Sequence, residues 1–187
     1  MSMVRSAVIA DNTQVCRSFP DPVKPEVKRD QVIKSIENHF DAGGGVAILT
    51  GASGFGKTVA MSQYARQHPL TSVCLFVSGA NKWTYNFDVC LFDIYNQIHW
   101  LLEGVEARQA LSVDEATFAR MLQKLRTVAR RDNQSYCFLL DGLDQVPGEA
   151  LNTRDRLFGL MGWDYSQFRF LISAAPGSVP LITKALK

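Results

Sequence analysis

The sequence predicts a three-layer α/β domain built on a parallel sheet. Short apolar runs of strand length alternate with segments of helical periodicity, the pattern that covers both faces of such a sheet with helices. A glycine-rich stretch joins one of these runs to one of these helices. The composition is that of a core-forming chain: of 187 residues 47% are hydrophobic and 20% charged, with 13 glycines and 7 prolines, which excludes disordered and collagen-like classes. The length suits one ordinary domain.

Residues 1–27 read as an extended lead-in, because Pro20, Pro22 and Pro25 bias their predecessors away from helix. The start MSMVRSAVIADN is too short and too polar in its apolar part for a secretory signal. No run of about 20 apolar residues follows, so the expectation is a cytoplasmic protein with no membrane partner. The core begins at residue 28. Val32, Ile33, Ile36 and Phe40 recur at helical spacing over 27–40, and Gly43, Gly44 and Gly45 stop that helix.

The run 46–50 (VAILT) is a strand candidate, followed by a glycine-rich turn and a helix over 57–67 that ends at His68-Pro69. The run 73–78 (VCLFVS) predicts a second strand, and helices follow over 87–102 and 114–131. The latter carries Phe118, Met121, Leu122, Leu125 and Val128 on one face, with Ser112 or Asp114 as its cap and Glu115 in its first turn. The runs 136–140 (YCFLL) and 168–173 (FRFLIS) are two more strands, separated by a helix over 153–161. Cys16, Cys74, Cys90 and Cys137 form no CxxC pair, and the last three lie in apolar runs, so they read as reduced and buried. Twenty basic against eighteen acidic residues leave a net charge of +2, which argues against a nucleic-acid partner.

The stretch Gly51-Ala52-Ser53-Gly54-Phe55-Gly56-Lys57-Thr58 matches the phosphate-binding pattern GxxxxGK(S/T) at every fixed position. It also lies between a predicted strand and a predicted helix, the context the pattern requires. Glycine lets backbone N–H groups curl around phosphates, and the helix N-terminus adds its positive end. The nucleotide-binding candidates are therefore residues 51–58 together with Val59 on the first helical turn. Lys57 is the candidate to neutralise the β and γ phosphates. Thr58 is the candidate to place a hydroxyl on Mg²⁺, a hard cation that takes few protein ligands. A chance match would arise in about 1% of chains of this length. A serine-hydrolase elbow fails at position 55, where Phe stands in place of the second glycine.

Hydrolysis also needs a carboxylate at the metal and a group that orients water. The run ending Leu140-Asp141-Gly142-Leu143-Asp144 supplies both types at the C-terminal end of a buried strand, where open α/β sheets bind ligands. Asp141 is the Mg²⁺ candidate and Asp144 the candidate to polarise water. The alternative is a plain strand-to-turn junction, since Asp-Gly is a common turn dipeptide.

GASGFGKT followed by hydrophobic-DGLDQV resembles the STAND class of P-loop NTPases, the signalling ATPases that include NACHT and AP-ATPase modules. Lys28-Arg29-Asp30 is similar to the family's R-(D/E) element, near which adenine binds, and so adds Arg29 to the nucleotide-binding set. The segment 168–177, FRFLISAAPG, resembles the strand that carries the family's sensor. Its Ser-x-x-Pro-Gly ending, preceded by Gly162-Trp163-Asp164, looks most like the nephrocystin-like and telomerase-associated-protein-like branch. Many members have Ser-Arg-Pro where this chain has Ala174-Ala175-Pro176, which leaves Ser173 as the polar candidate to sense the γ-phosphate.

The resemblance implies a P-loop NTPase core over 28–187 with strands in spatial order 2-3-1-4, truncated before the family's fifth strand, lid and winged helix. It implies ATP or ADP with Mg²⁺, slow ATPase activity used as a switch, and flanking domains or protein partners of a larger chain, with self-association left open. A non-catalytic nucleotide-binding or protein-interaction module is the alternative. ATP over GTP rests on the resemblance, because Asn81-Lys82-Trp83-Thr84 lacks the Asp of a guanine-reading motif. His39, His68 and His99 lack ligand-type neighbours at helical spacing, so no further metal is expected. Arg154 and Arg156 are weighed as a trans-acting arginine against solvated residues paired with carboxylates such as Asp155. Trp83, Tyr85, Phe87, Phe92, Tyr95 and Trp100 read as core packing rather than a base-stacking platform.

Overall fold

The computed structural model describes residues 12–22, 24–107, 113–162 and 166–185. Seven α-helices and four strands are present among them. In chain order they are α1 (Asn12–Val15), α2 (Asp30–Asp41), β1 (Val46–Thr50), α3 (Lys57–Gln67), β2 (Ser72–Phe76), α4 (Phe87–Glu103), α5 (Glu115–Asp132), β3 (Tyr136–Asp141), α6 (Leu151–Met161), β4 (Phe168–Ala174) and α7 (Val179–Ala185). Short 3-10 turns at Lys82–Tyr85, Leu143–Gln145, Gly148–Ala150 and Pro176–Ser178 link several of them. None of the described helices is long and apolar enough to cross a membrane.

All strand pairings are parallel, and the sheet order is β1-β4-β3-β2. This is the expected three-layer α/β arrangement with one correction. The predicted order 2-3-1-4 placed β1 in the interior, whereas β4 lies between β3 and β1, giving 2-3-4-1. The physical reason is size and burial. Phe168 and Phe170 of β4 pack on Phe138 of β3 at ring-centroid distances of 5.1 and 5.5 Å, which favours these two strands as central neighbours. β1 is the smaller VAILT strand, half-buried over Val46 to Leu49, and it forms an edge.

Side chains alternate to two apolar faces, as a doubly covered sheet demands. Val73 and Leu75 of β2, Phe138 and Leu140 of β3, and Phe170 and Ile172 of β4 share one core with apolar residues of α4, α5 and α6. Cys74, Phe76, Cys137, Leu139 and Leu171 join Ile33, Ile36 and Phe40 of α2 and Met61 and Tyr64 of α3 on the other face. The predicted stripes of α2 and α5 hold, with Val32, Met121 and Val128 only partly buried. Asp114 caps α5 by accepting the Thr117 amide hydrogen bond at 2.7 Å, while Ser112 lies outside the described residues. All four cysteines are buried thiols outside any disulfide, and burial pushes the thiols of Cys90 and Cys137 up to about 12.

Two features differ from expectation. Part of the proline-containing lead-in is packed rather than extended: α1 and residues 16–19 lie against β2 and α4, with Val15 and Cys16 buried. Trp83 is 72% exposed on its 3-10 turn, although Tyr85, Phe87 and Tyr95 enter the core as expected.

Candidate functional site: the loop at the ends of the strands

The chemistry-bearing residues gather at the C-terminal ends of the parallel strands. Residues 51–56 run from β1 into α3, whose first turn begins at Lys57. Gly56 stands at the cap position of α3 with φ +81°, and a Cβ there would lie 2.4 Å from Nη2 of Arg29. Only glycine supplies that backbone at this distance. The Arg29 guanidinium thus lies against the loop at Gly56. Its own amide donates to Oε1 of Gln63 at 2.8 Å, and Nε2 of Gln63 donates to the Val27 carbonyl at 3.0 Å, so α3 holds the preceding segment in register with the loop. Gln63 is buried and was not singled out in the sequence; a polar residue amid the buried stretch of α3 was its available signal.

Nζ of Lys57 lies back along the loop and donates to the carbonyls of Gly51 at 2.7 Å and Ala52 at 3.1 Å. Ser53, Gly54 and Phe55 are exposed, Phe55 by 72%, and Val59 is half-buried on the first turn of α3. Oγ1 of Thr58 donates to Oδ2 of Asp141 at 2.6 Å, joining the two motifs across 83 residues. Asp141 is the last residue of β3 and only 5% exposed. Its other oxygen, Oδ1, accepts from the Ser173 hydroxyl. The hydroxyl in turn accepts from the Gly142 amide at 3.2 Å.

Asp144 lies one turn beyond Asp141, and its Oδ2 accepts from the Ala175 amide at 2.6 Å. The two carboxylates therefore both grip the end of β4. Oδ2 of Asp144 is engaged by backbone rather than free for water. Ser173 is 1% exposed and faces Asp141 in the interior, so its hydroxyl meets a protein carboxylate instead of the open crevice.

Other residues weighed in the sequence are committed elsewhere. Arg154 pairs with Asp155 at 2.9 Å, and Arg156 pairs with Glu115 while its guanidinium sits 3.6 Å above the Phe87 ring. Nε2 of His68 meets Glu37 at 3.1 Å, Nε2 of His39 meets the Val46 carbonyl at 2.8 Å, and Nδ1 of His99 meets the Val105 carbonyl at 2.9 Å. Among the described residues no group of three or more His, Cys, Asp or Glu is placed to hold a metal. Trp163 and Asp164, cited for the branch likeness, lie outside the described residues. A cavity of about 540 Å³ lies at the opposite end of the sheet, lined by Glu37, Tyr64, His68, Cys137 and Arg169 among others, and shares no residue with the loop.

No family model and no curated protein matches the chain. Among solved structures it is similar to Cdc6p from Pyrobaculum aerophilum, with a TM-score of 0.48 and 19% identity, over 96% of this chain and 48% of that one. The chain thus spans about half the length of that protein.

Proposed function

We propose that this chain is a Mg²⁺-nucleotide-binding core that turns ATP over slowly and serves as the switch of a larger STAND-type signalling or scaffolding protein. The observation that carries this is the 2.6 Å bond from Thr58 to Asp141, because it unites the GxxxxGKT loop with the acidic end of β3 at one point of the crevice. A hydroxyl and a buried carboxylate side by side are an oxygen pair of the kind Mg²⁺ accepts alongside phosphate and water. When bound, Mg²⁺ supplies charge neutralisation on the β and γ phosphates.

The chain's own residues do the rest by position and charge. The amides of residues 51–58 and the α3 terminus bind the phosphates, and Lys57 exchanges its two carbonyl partners for phosphate oxygens. Arg29, on the flank of the loop at Gly56, contacts the nucleotide there. Asp144 orients the attacking water once its bond to Ala175 loosens. With Ala174 and Ala175 in the sensor position, no side-chain cation from β4 meets the γ-phosphate. Arginine fingers contribute about 10³ to 10⁵ in rate, so turnover unaided is expected on the order of 10⁻³ per second or slower.

The bond from Ala175 to Asp144 also favours a second reading, in which the module binds nucleotide and does not turn it over. Phosphate release by the full chain, measured beside ATP and ADP binding, separates the two. Slow release that Lys57→Ala and Asp144→Asn both abolish supports the switch ATPase. Tight, Mg²⁺-dependent binding with no release supports the non-catalytic module.

A further inference from the structure

We infer that Ser173 is a positioning residue for the metal side of the site, acting through Asp141 rather than on the nucleotide; this rests on the Mg²⁺-nucleotide reading above. Ser173 is 1% exposed in the central strand β4, among Leu171, Ile172 and Ala174, none of which is exposed at all. A hydroxyl in such surroundings is costly unless both its donor and its acceptor capacity are used. Here both are. The hydroxyl donates to Oδ1 of Asp141 and accepts from the Gly142 amide at 3.2 Å.

The consequence lies at the other oxygen. With Oδ1 held from the interior, Oδ2 is turned toward Thr58, whose hydroxyl reaches it at 2.6 Å. The carboxylate is pinned at both ends, one bond from β4 and one from α3, so its plane and the direction of its free lone pairs are set before any ligand arrives. The strand order makes this possible. β4 lies between β1, which feeds the phosphate loop, and β3, which ends in Asp141, and the register pairs Leu49 with Ser173 and Leu140 with Ile172. Ser173 is therefore placed beneath the junction of the two motifs. The sensing role implied by the family likeness would need the hydroxyl in the crevice, whereas here it touches the Asp141 carboxylate and the Gly142 amide.

The test is the affinity of the full chain for ATP, titrated once with Mg²⁺ and once with EDTA, with the ratio of the two dissociation constants as the readout. Removal of a group that orients a metal-facing ligand costs about 10-fold to 100-fold in metal affinity, so Ser173→Ala is expected to shrink the ratio by about 10-fold or more. Ser173→Thr, which keeps the hydroxyl, is expected to restore it to within about 2-fold of the parent. In an Asp141→Asn background Ser173→Ala should change the ratio no further. Should Ser173→Ala fail to fold, Ser173→Cys replaces it with a near-isosteric weak donor and the same expected loss. A Mg²⁺-dependent parent whose ratio survives Ser173→Ala or Ser173→Cys unchanged overturns the positioning role alone. A parent whose affinity is the same with Mg²⁺ and with EDTA overturns the nucleotide reading and this inference with it.

Discussion

Gly142 sits between the two carboxylates of the site, at φ +72°, and a Cβ built on it would lie 2.0 Å from the Val77 carbonyl oxygen. The left-handed backbone and the close approach of β2's end together demand glycine. Gly142→Ala is expected to cost about 2 to 4 kcal/mol, read as a shift of the urea midpoint, and to weaken Mg²⁺-dependent ATP binding by displacing Asp141. At this scale the sequence is informative where a pattern carries its own geometry. The phosphate pattern and a strand ending in Asp each single out their residues, and the structure brings Thr58 and Asp141 together. The partners of Ser173 and Asp144 are not legible in this way, because both bonds cross from the end of β3 to the end of β4 and depend on which strands are neighbours.

Among the elements, β2 is an edge strand whose outer backbone groups are closed by side chains. Gln97 of α4 accepts from the Cys74 amide and donates to its carbonyl, both at 2.7 Å, so one carboxamide imitates a strand partner. The Ser18 hydroxyl accepts from the Phe76 amide at 3.0 Å, and the Cys16 thiol donates to the Cys74 carbonyl at 3.3 Å. Asp93, 2% exposed, holds this segment in place by accepting from the amides of Arg17 at 3.0 Å and Ser18 at 3.3 Å and from the Ser18 hydroxyl at 3.0 Å. Such protection is what an edge needs to avoid pairing with another chain. Proline spacing pointed only to an extended lead-in, because the anchors are single polar residues on α4 with no periodic signature.

Ser18→Ala is expected to lower stability by about 1 to 3 kcal/mol in chemical denaturation, since it leaves the Phe76 amide and one Asp93 oxygen short of a partner. Burial pushes the Asp93 carboxyl above its usual range, against the opposing hydrogen bonds from Arg17, Ser18 and Gln97. The native chain therefore holds this proton to higher pH than the unfolded chain. Its stabilising contribution is full below the ordinary carboxylate pKa and is lost as pH rises through the raised one. Denaturation midpoints followed upward from about pH 4 should carry this falling component, and Asp93→Asn should remove it.

For the molecule as a whole, four parallel strands, five of the helices and two apolar faces follow from periodicity, whereas the order of the strands does not. Each strand is a short apolar run, and a run does not name its neighbour; in three dimensions β3 and β4 are joined by Phe138, which meets Phe168 edge-on and stacks on Phe170. That order sets the site, because the loop after β1 must reach past the end of β4 to meet Asp141. A ligand bound there draws on the whole fold. At about 100 times its dissociation constant it adds about 2.7 kcal/mol to folding stability, a rise of about 5 to 10 °C in Tm for a chain of this size.

The most direct measurement is a calorimetric titration of ATP in Mg²⁺ into the full chain and into Lys57→Ala. We expect one site in the parent, and an affinity lower by about 10-fold or more in the variant, the worth of charge-assisted bonds from a single ammonium. Equal affinity in the two chains, or no heat of binding in the parent, would contradict a phosphate-binding role for residues 51–58.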